Sequence, residues 1–127
     1  MSEYVVDSWA WIEYLKGSNR GLRIKEEIEK CSILLTNSIS VAEVISKVKR
    51  NEMDVEIAWN AMVNLSKTVP CYEDFSKEAG LAHAEIKKKT PNFSLGDAFV
   101  LQTARKFAAK ILTGDPDFAG IKEAEII

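Results

Sequence analysis

Five acidic side chains fall where one structural element hands over to the next. Asp7 follows the apolar run "YVV", Glu43 closes "SVAE", Asp97 closes "SLGD", and Asp115 and Asp117 flank the proline of "KILTGDPDF". Carboxylates gathered at one place repel and raise one another's pKa, so they need a cation between them. Hard divalent ions such as Mg2+ accept carboxylate oxygens and keep several waters. Two such ions can stabilise the attacking and leaving oxygens of phosphodiester cleavage.

Each acid also has an ordinary structural reading. "SVAE" at 40–43 matches a capping box and "SLGD" at 94–97 its Asp variant, which places Glu43 and Asp97 in first helical turns. Asp7 suits an N-cap, and "GDPD" is a turn. The only histidine, His83, lies within a helical pattern in "LAHAEI" and reads as structural. With one His, no G-x-S-x-G and no paired Cys, nucleophilic triads and zinc sites are poorly supported. "DPDFAGIKEAEI" begins like a calcium loop, but Ala119 and Ile126 stand where ligating oxygens are required.

The elements that must position these acids follow from periodicity. Tyr4–Val6 is a short β-favouring run, and Asp7 and Ser8 open a helix. Leu22–Glu29 is helical after "KGSNRG", and "SILLT" at 32–36 is a compact strand broken by Asn37 and Ser38. Val41, Val44, Ile45 and Val48 share one helix face, and Val55, Ala58, Trp59 and Met62 repeat the spacing. "TVP" at 68–70 reads as a short or edge strand, and Phe75, Ala79, Ala82 and Ile86 line another helix. Ser94 opens a helix to about Ala108, Lys110–Thr113 is a strand, and "EAEII" is a final one. Short apolar strands alternating with helices predict one α/β domain with a largely parallel sheet. In such sheets ligands bind at the carboxyl ends of the strands, where these acids fall.

The chain has 127 residues, 46% hydrophobic and 28% charged, the profile of one soluble globular domain. No apolar run approaches the ~18 residues of a membrane span, and the start lacks a basic signal-peptide region, so a cytoplasmic location is expected. Cys31 and Cys71 stand apart and read as small core hydrophobes. The net charge of −2 excludes a binder held on nucleic acid by overall charge. A nucleic-acid function then rests on a local basic patch or on metal at an acidic site.

"VVDSWAWIEYL", "TNSISVAEVISKVKR" and "FSLGDAFVLQTARKFAAKILTGDPDF" together resemble the PIN domain, the nuclease family that includes the VapC-type toxins of toxin–antitoxin pairs. The resemblance spans almost the whole chain. It implies a five-stranded parallel sheet flanked by helices, dependence on Mg2+ or Mn2+, and endonucleolytic cleavage of RNA. Asp7, Glu43, Asp97 and Asp115 match the family's acidic quartet as metal ligands. Asp117 matches a further acid, and Ser8 and Thr113 the polar residues that orient ligands or waters. Resemblance to the toxins further implies an antitoxin partner and a homodimer.

Candidate contacts to the RNA backbone are Arg20, Lys47, Lys49, Arg50 and the run Lys87, Lys88, Lys89, although charge runs are ordinarily solvated faces. Trp9, Trp11 and Trp59 are expected mostly in the core, with part of the apolar excess open to a partner. A phospho-acceptor domain is disfavoured, because it wants adjacent acids after the first strand and a Lys after a late one. A non-catalytic module of the same fold has no reason to keep repelling carboxylates together. An RNA-processing nuclease without an antitoxin is the runner-up.

Overall fold

The computed structural model describes residues 3–31 and 33–127. Ser32, where the second expected strand begins, lies outside them. Five strands, β1 (Glu3–Val6), β2 (Ile33–Asn37), β3 (Lys67–Val69), β4 (Lys110–Thr113) and β5 (Ala124–Ile126), form one sheet in the order β3-β2-β1-β4-β5. All four pairings are parallel, with Val5 opposite both Leu35 and Ile111. Among the described residues six helices accompany the sheet: α1 (Ser8–Lys16), α2 (Asn19–Lys30), α3 (Ser38–Arg50), α4 (Val55–Leu65), α5 (Glu73–Lys87) and α6 (Leu95–Phe107). A 3-10 turn spans Pro116–Phe118. No helix among the described residues is long and apolar enough to cross a membrane.

Apolar strands with both faces covered are the expected signature of a parallel sheet. Tyr4, Val6, Leu34 and Leu112 pack under α1 to α4, around Trp11, Ile24, Val44, Val48 and Met62. Val5, Leu35, Val69 and Ile111 face the other way, against Phe93, Phe118 and the Ala98, Leu101 and Ala104 stripe of α6. The period of two along each strand therefore sorts neighbouring residues into two cores. Strand order reverses between β1 and β4, which makes their carboxyl ends the expected crevice for a ligand.

Two expectations need correction. The helix after β2 is capped by Asn37, whose Oδ1 accepts from Ile39 N at 2.8 Å, and not by Ser40. "SVAE" is therefore no capping box, and Glu43 sits in the second turn. Asn37 prevails because β2 continues through it, pairing it with Val69, and its side chain is then already at the helix mouth. Ser40 is carried inside α3, where its hydroxyl is buried without a hydrogen bond. Trp59 is the second: Ala58 and Met62 face the core, while the indole one position on is 45% exposed. Trp11 is fully buried, its Nε1 donating to Thr36 Oγ1 at 3.0 Å.

Smaller differences lie at element ends. Ser18 caps α2, so that helix starts at Asn19, before the expected Leu22. β3 is an edge strand as expected, ending at Val69 because Pro70 brings no N–H to the ladder.

Asn37 joins α3 to α6 as well, since its Nδ2 donates to Thr103 Oγ1 at 3.0 Å in the interior. Asn37→Ala removes the cap and leaves Thr103 short of a partner, at an expected cost of about 2 kcal/mol. Urea denaturation measures it. A loss below ~0.5 kcal/mol would mean that Ser40 takes over as cap and the helix start simply slides.

Candidate metal centre

The centre is built from the end of β1 outward. Asp7 is 3% exposed and caps α1, its Oδ1 accepting from Ala10 N at 2.8 Å. Its Oδ2 accepts from the Thr113 hydroxyl, at the end of β4, at 2.5 Å. Thr113 Oγ1 in turn accepts from Asp115 N at 3.0 Å, and Asp115 Oδ1 accepts from Asp117 N at 2.9 Å. One line of hydrogen bonds thus runs from β1 through β4 into the 3-10 turn. "GDPD" is a turn as its composition suggests, and the turn aims both acids.

Asp97 enters from α6. The capping box of "SLGD" is present: Asp97 N donates to Ser94 Oγ at 3.1 Å and Ser94 N donates to Asp97 Oδ2 at 2.9 Å. The capping bonds engage one carboxylate oxygen of Asp97 and leave the other open. Carboxylate oxygens of Asp97, Asp115 and Asp117 lie within 4.8 Å of one another. Asp7 and Glu43 stand outside this tight group. The charges of Asp97 and Asp115 act on Asp7, and that of Asp97 acts on Glu43. Ser8 acts on Glu43 in the opposite sense, drawing its carboxyl down.

Asp7, Glu43 and Asp97 are all raised. Burial pushes the Asp7 carboxyl up to about 7, against hydrogen bonds from Thr113 and Ala10, and Asp115 and Asp97 add repulsion. Asp97 is raised first by desolvation, with the Ser94 bonds opposing and Asp115 and Asp117 adding to the rise. Glu43 is exposed as a residue, yet protein crowds its carboxylate, and that desolvation followed by Asp97 raises it while Ser8 opposes. The donor set is wholly carboxylate, without His or Cys, which fits a hard divalent cation.

Of the basic candidates, Lys47 and Arg50 line a groove of about 610 Å3 between α1 and α3. Ser8 and Glu43 lie at one end of its lining, and Trp9, Ile12, Ser46 and Lys16 complete much of the rest. Lys16 was not foreseen; it lies eight residues after Ser8 on α1, a spacing that returns to the same helix face. Lys49 is exposed and lines a different depression, beside Met53. Lys87 Nζ donates to Pro91 O at 2.7 Å, Lys88 pairs with Glu85 at 3.2 Å, and Lys89 is exposed. The Arg20 guanidinium lies 4.6 Å from the Trp9 ring centroid and donates to Ile127 O, so its charge is engaged within the fold. Gly114 permits this packing, because a Cβ there would meet Trp9 at 2.3 Å and Arg20 at 2.6 Å. His83 is structural, its Nε2 donating to Phe93 O at 3.1 Å.

The sequence matches the model of the PIN domain over residues 4–124. Compared with curated proteins, it has no match. Among solved structures it is similar to a chain of a toxin–antitoxin complex from Klebsiella pneumoniae, at 20% identity and TM-score 0.75, covering 96% of this chain and 95% of that one. It is similar to VapC20 of Mycobacterium tuberculosis, described as a Sarcin-Ricin loop cleaving toxin, at 16% identity and TM-score 0.76, covering 94% and 95%. A DNA-bound VapBC complex of Salmonella typhimurium contains a third, at 16% identity and TM-score 0.76, covering 100% and 98%. At such identities these likenesses establish a shared fold.

Because the Asp7 pKa is raised from 3.8 to about 7, the folded state binds more protons than the unfolded state between those values. Stability therefore falls as pH rises through that window. Asp7→Asn keeps an acceptor for Ala10 N–H and carries no charge. In chelator it should flatten most of the fall and be the more stable protein at about pH 8, by on the order of 3 kcal/mol. Urea denaturation at several pH values gives the comparison. Equal pH slopes in the two proteins would remove Asp7 as the source.

Proposed function

The chain belongs to the PIN-domain family, and from that premise we propose that it is a metal-dependent endoribonuclease acting in the cytoplasm as the toxin of a toxin–antitoxin pair. The observation that carries the proposal is the convergence of Asp7, Asp97, Asp115 and Asp117, with Glu43 beside Asp97, at the carboxyl ends of β1 and β4. The toxin reading is supported by neighbours whose structures are toxin–antitoxin complexes. An antitoxin partner and a homodimer follow from that reading. Exposed Ile57 and Trp59 on α4 and Leu95 on α6 offer apolar surface for such contacts.

Asp97, Asp115 and Asp117 would hold the ion directly, with Glu43 closing the side toward α3 and Asp7 lying deepest. When bound, Mg2+ or Mn2+ supplies a Lewis acid for the phosphate and a lowered pKa for water. The protein's own part is orientation. Ser94 N–H fixes one oxygen of Asp97, Asp117 N–H one oxygen of Asp115, and Ala10 N–H and Thr113 both oxygens of Asp7. Each oxygen so held keeps a second lone-pair direction, and the other oxygens of Asp97 and Asp115 are left for a cation. Lys47 and Arg50 lie one and two turns beyond Glu43 on one face of α3, so the groove offers positive charge to a strand whose phosphate reaches the acids.

Purified protein should gain thermal stability with Mn2+ or Mg2+ and cut RNA, since a ligand bound only by the folded state stabilises it. Asp97→Asn should lose cleavage by at least ~100-fold while remaining folded, because Asn can still accept from Ser94 N–H. A folded wild type with no metal response and intact RNA would reduce the acids to caps and turns. Replacing Lys47 and Arg50 together by Ala should raise KM for RNA and flatten the log–log salt slope by roughly 1.4, at ~0.7 per phosphate contact. An unchanged slope would take RNA out of the groove between α1 and α3.

A further inference from the structure

Gly96 is the second residue of α6, where glycine costs helix stability relative to alanine. Its backbone does not call for glycine, since Gly17 is the one glycine at positive φ among the described residues. Sterics do. A Cβ at position 96 would lie 2.5 Å from Glu43 Oε2, 3.1 Å from its Cδ and 3.2 Å from its Oε1, and these are its three nearest atoms. The missing methyl is therefore the space that the Glu43 carboxylate occupies. Gly80, inside α5, is the contrast: nothing lies within 4 Å of a Cβ there.

Glu43 needs that space because its own helix holds it at a distance. It sits in the second turn of α3, on the opposite face of the sheet from α6, and reaches Asp97 only across the carboxyl edge. We propose that Gly96 is a positioning residue of the metal centre, whose lack of a side chain lets the Glu43 carboxylate lie against the first turn of α6 beside Asp97. This inference rests on the metal-dependent reading above. Because Glu43 is a flexible side chain with an exposed stem, a methyl at 96 turns the carboxylate aside and leaves the fold in place.

The test compares wild type, Gly96→Ala, Gly80→Ala, Glu43→Asp and the double variant Gly96→Ala with Glu43→Asp. Mn2+ binding is measured by calorimetry and by the metal-induced rise in Tm, beside Tm in chelator. Gly96→Ala should match or exceed the wild-type Tm in chelator, as should Gly80→Ala. It should raise the Mn2+ concentration for half-saturation about tenfold, the usual scale for a displaced ligand or its support. Gly80→Ala should bind Mn2+ like wild type. Glu43→Asp, too short to reach the first turn of α6, should weaken Mn2+ binding by itself, and adding Gly96→Ala to it should cost little more, a non-additive result for two groups in contact. Wild-type Mn2+ affinity in Gly96→Ala, or a marked fall of its Tm in chelator, overturns the inference alone. A wild type that binds no Mn2+ overturns the proposed function and this inference with it.

Discussion

Burial of the Asp7 carboxylate is the constraint on which the rest of the centre depends. An ionised carboxylate at 3% exposure is costly, and it is tolerated here through hydrogen bonds from Ala10 N–H and the Thr113 hydroxyl. Those two bonds tie the end of β1 to the start of α1 and to the end of β4. The pairing of β1 with β4, the launch of α1 and the exit of the chain from β4 are thereby set around one side chain. Thr113 passes the constraint on through its contact with Asp115 N, and the 3-10 turn then presents Asp115 and Asp117 together. The bonds compensate the burial only in part, which is why the Asp7 pKa is raised despite two donors.

A second constraint comes from layering. α3 belongs to one core and α6 to the other, with the sheet between them. Their acids can meet only beyond the carboxyl edge, where the first turns of both helices project past the strands. That geometry favours a short reach from α6, so Asp97 sits in its first turn, held by Ser94. It requires a long reach from α3, so the acid there is a Glu in the second turn. Side-chain length and helical position compensate one another. Gly96 then clears the remaining volume.

Much of this was legible in the sequence, and the misses have specific causes. Alternation of apolar strands with helices led to the parallel sheet, and "SLGD" marked both a cap and an acid at a helix mouth. "SVAE" misled because a capping box is a local pattern, and Asn37 was an equally good cap three residues earlier. The sheet decided between them, by extending β2 through Asn37. Trp59 misled because Val55, Ala58, Trp59 and Met62 fit one helical stripe, while the buried arc of α4 is only wide enough for Ala58 and Met62. Gly96 and Lys16 were passed over for opposite reasons. A glycine inside a helix start was a visible anomaly whose explanation lies on another helix, whereas Lys16 looked like an ordinary surface charge until α1 and α3 formed a groove.

The manner in which the acids are held bears on what they are for. A carboxylate can be fixed by an Arg or Lys, which neutralises it, or by neutral donors, which orient it and leave its charge unbalanced. Among the described residues, the ion pairs join Lys16 to Glu13, Lys30 to Glu27, Lys88 to Glu85 and Arg105 to Glu123, and none reaches the centre. The hydrogen bonds that fix Asp7, Asp97 and Asp115 come instead from backbone N–H groups and a hydroxyl. Purely structural acids would be more stable with a basic partner, since desolvated like charges raise one another's pKa. Oriented but uncompensated carboxylates at a sheet edge are an arrangement that a divalent cation would complete, because it would supply the missing positive charge while the hydrogen bonds supply the geometry in advance.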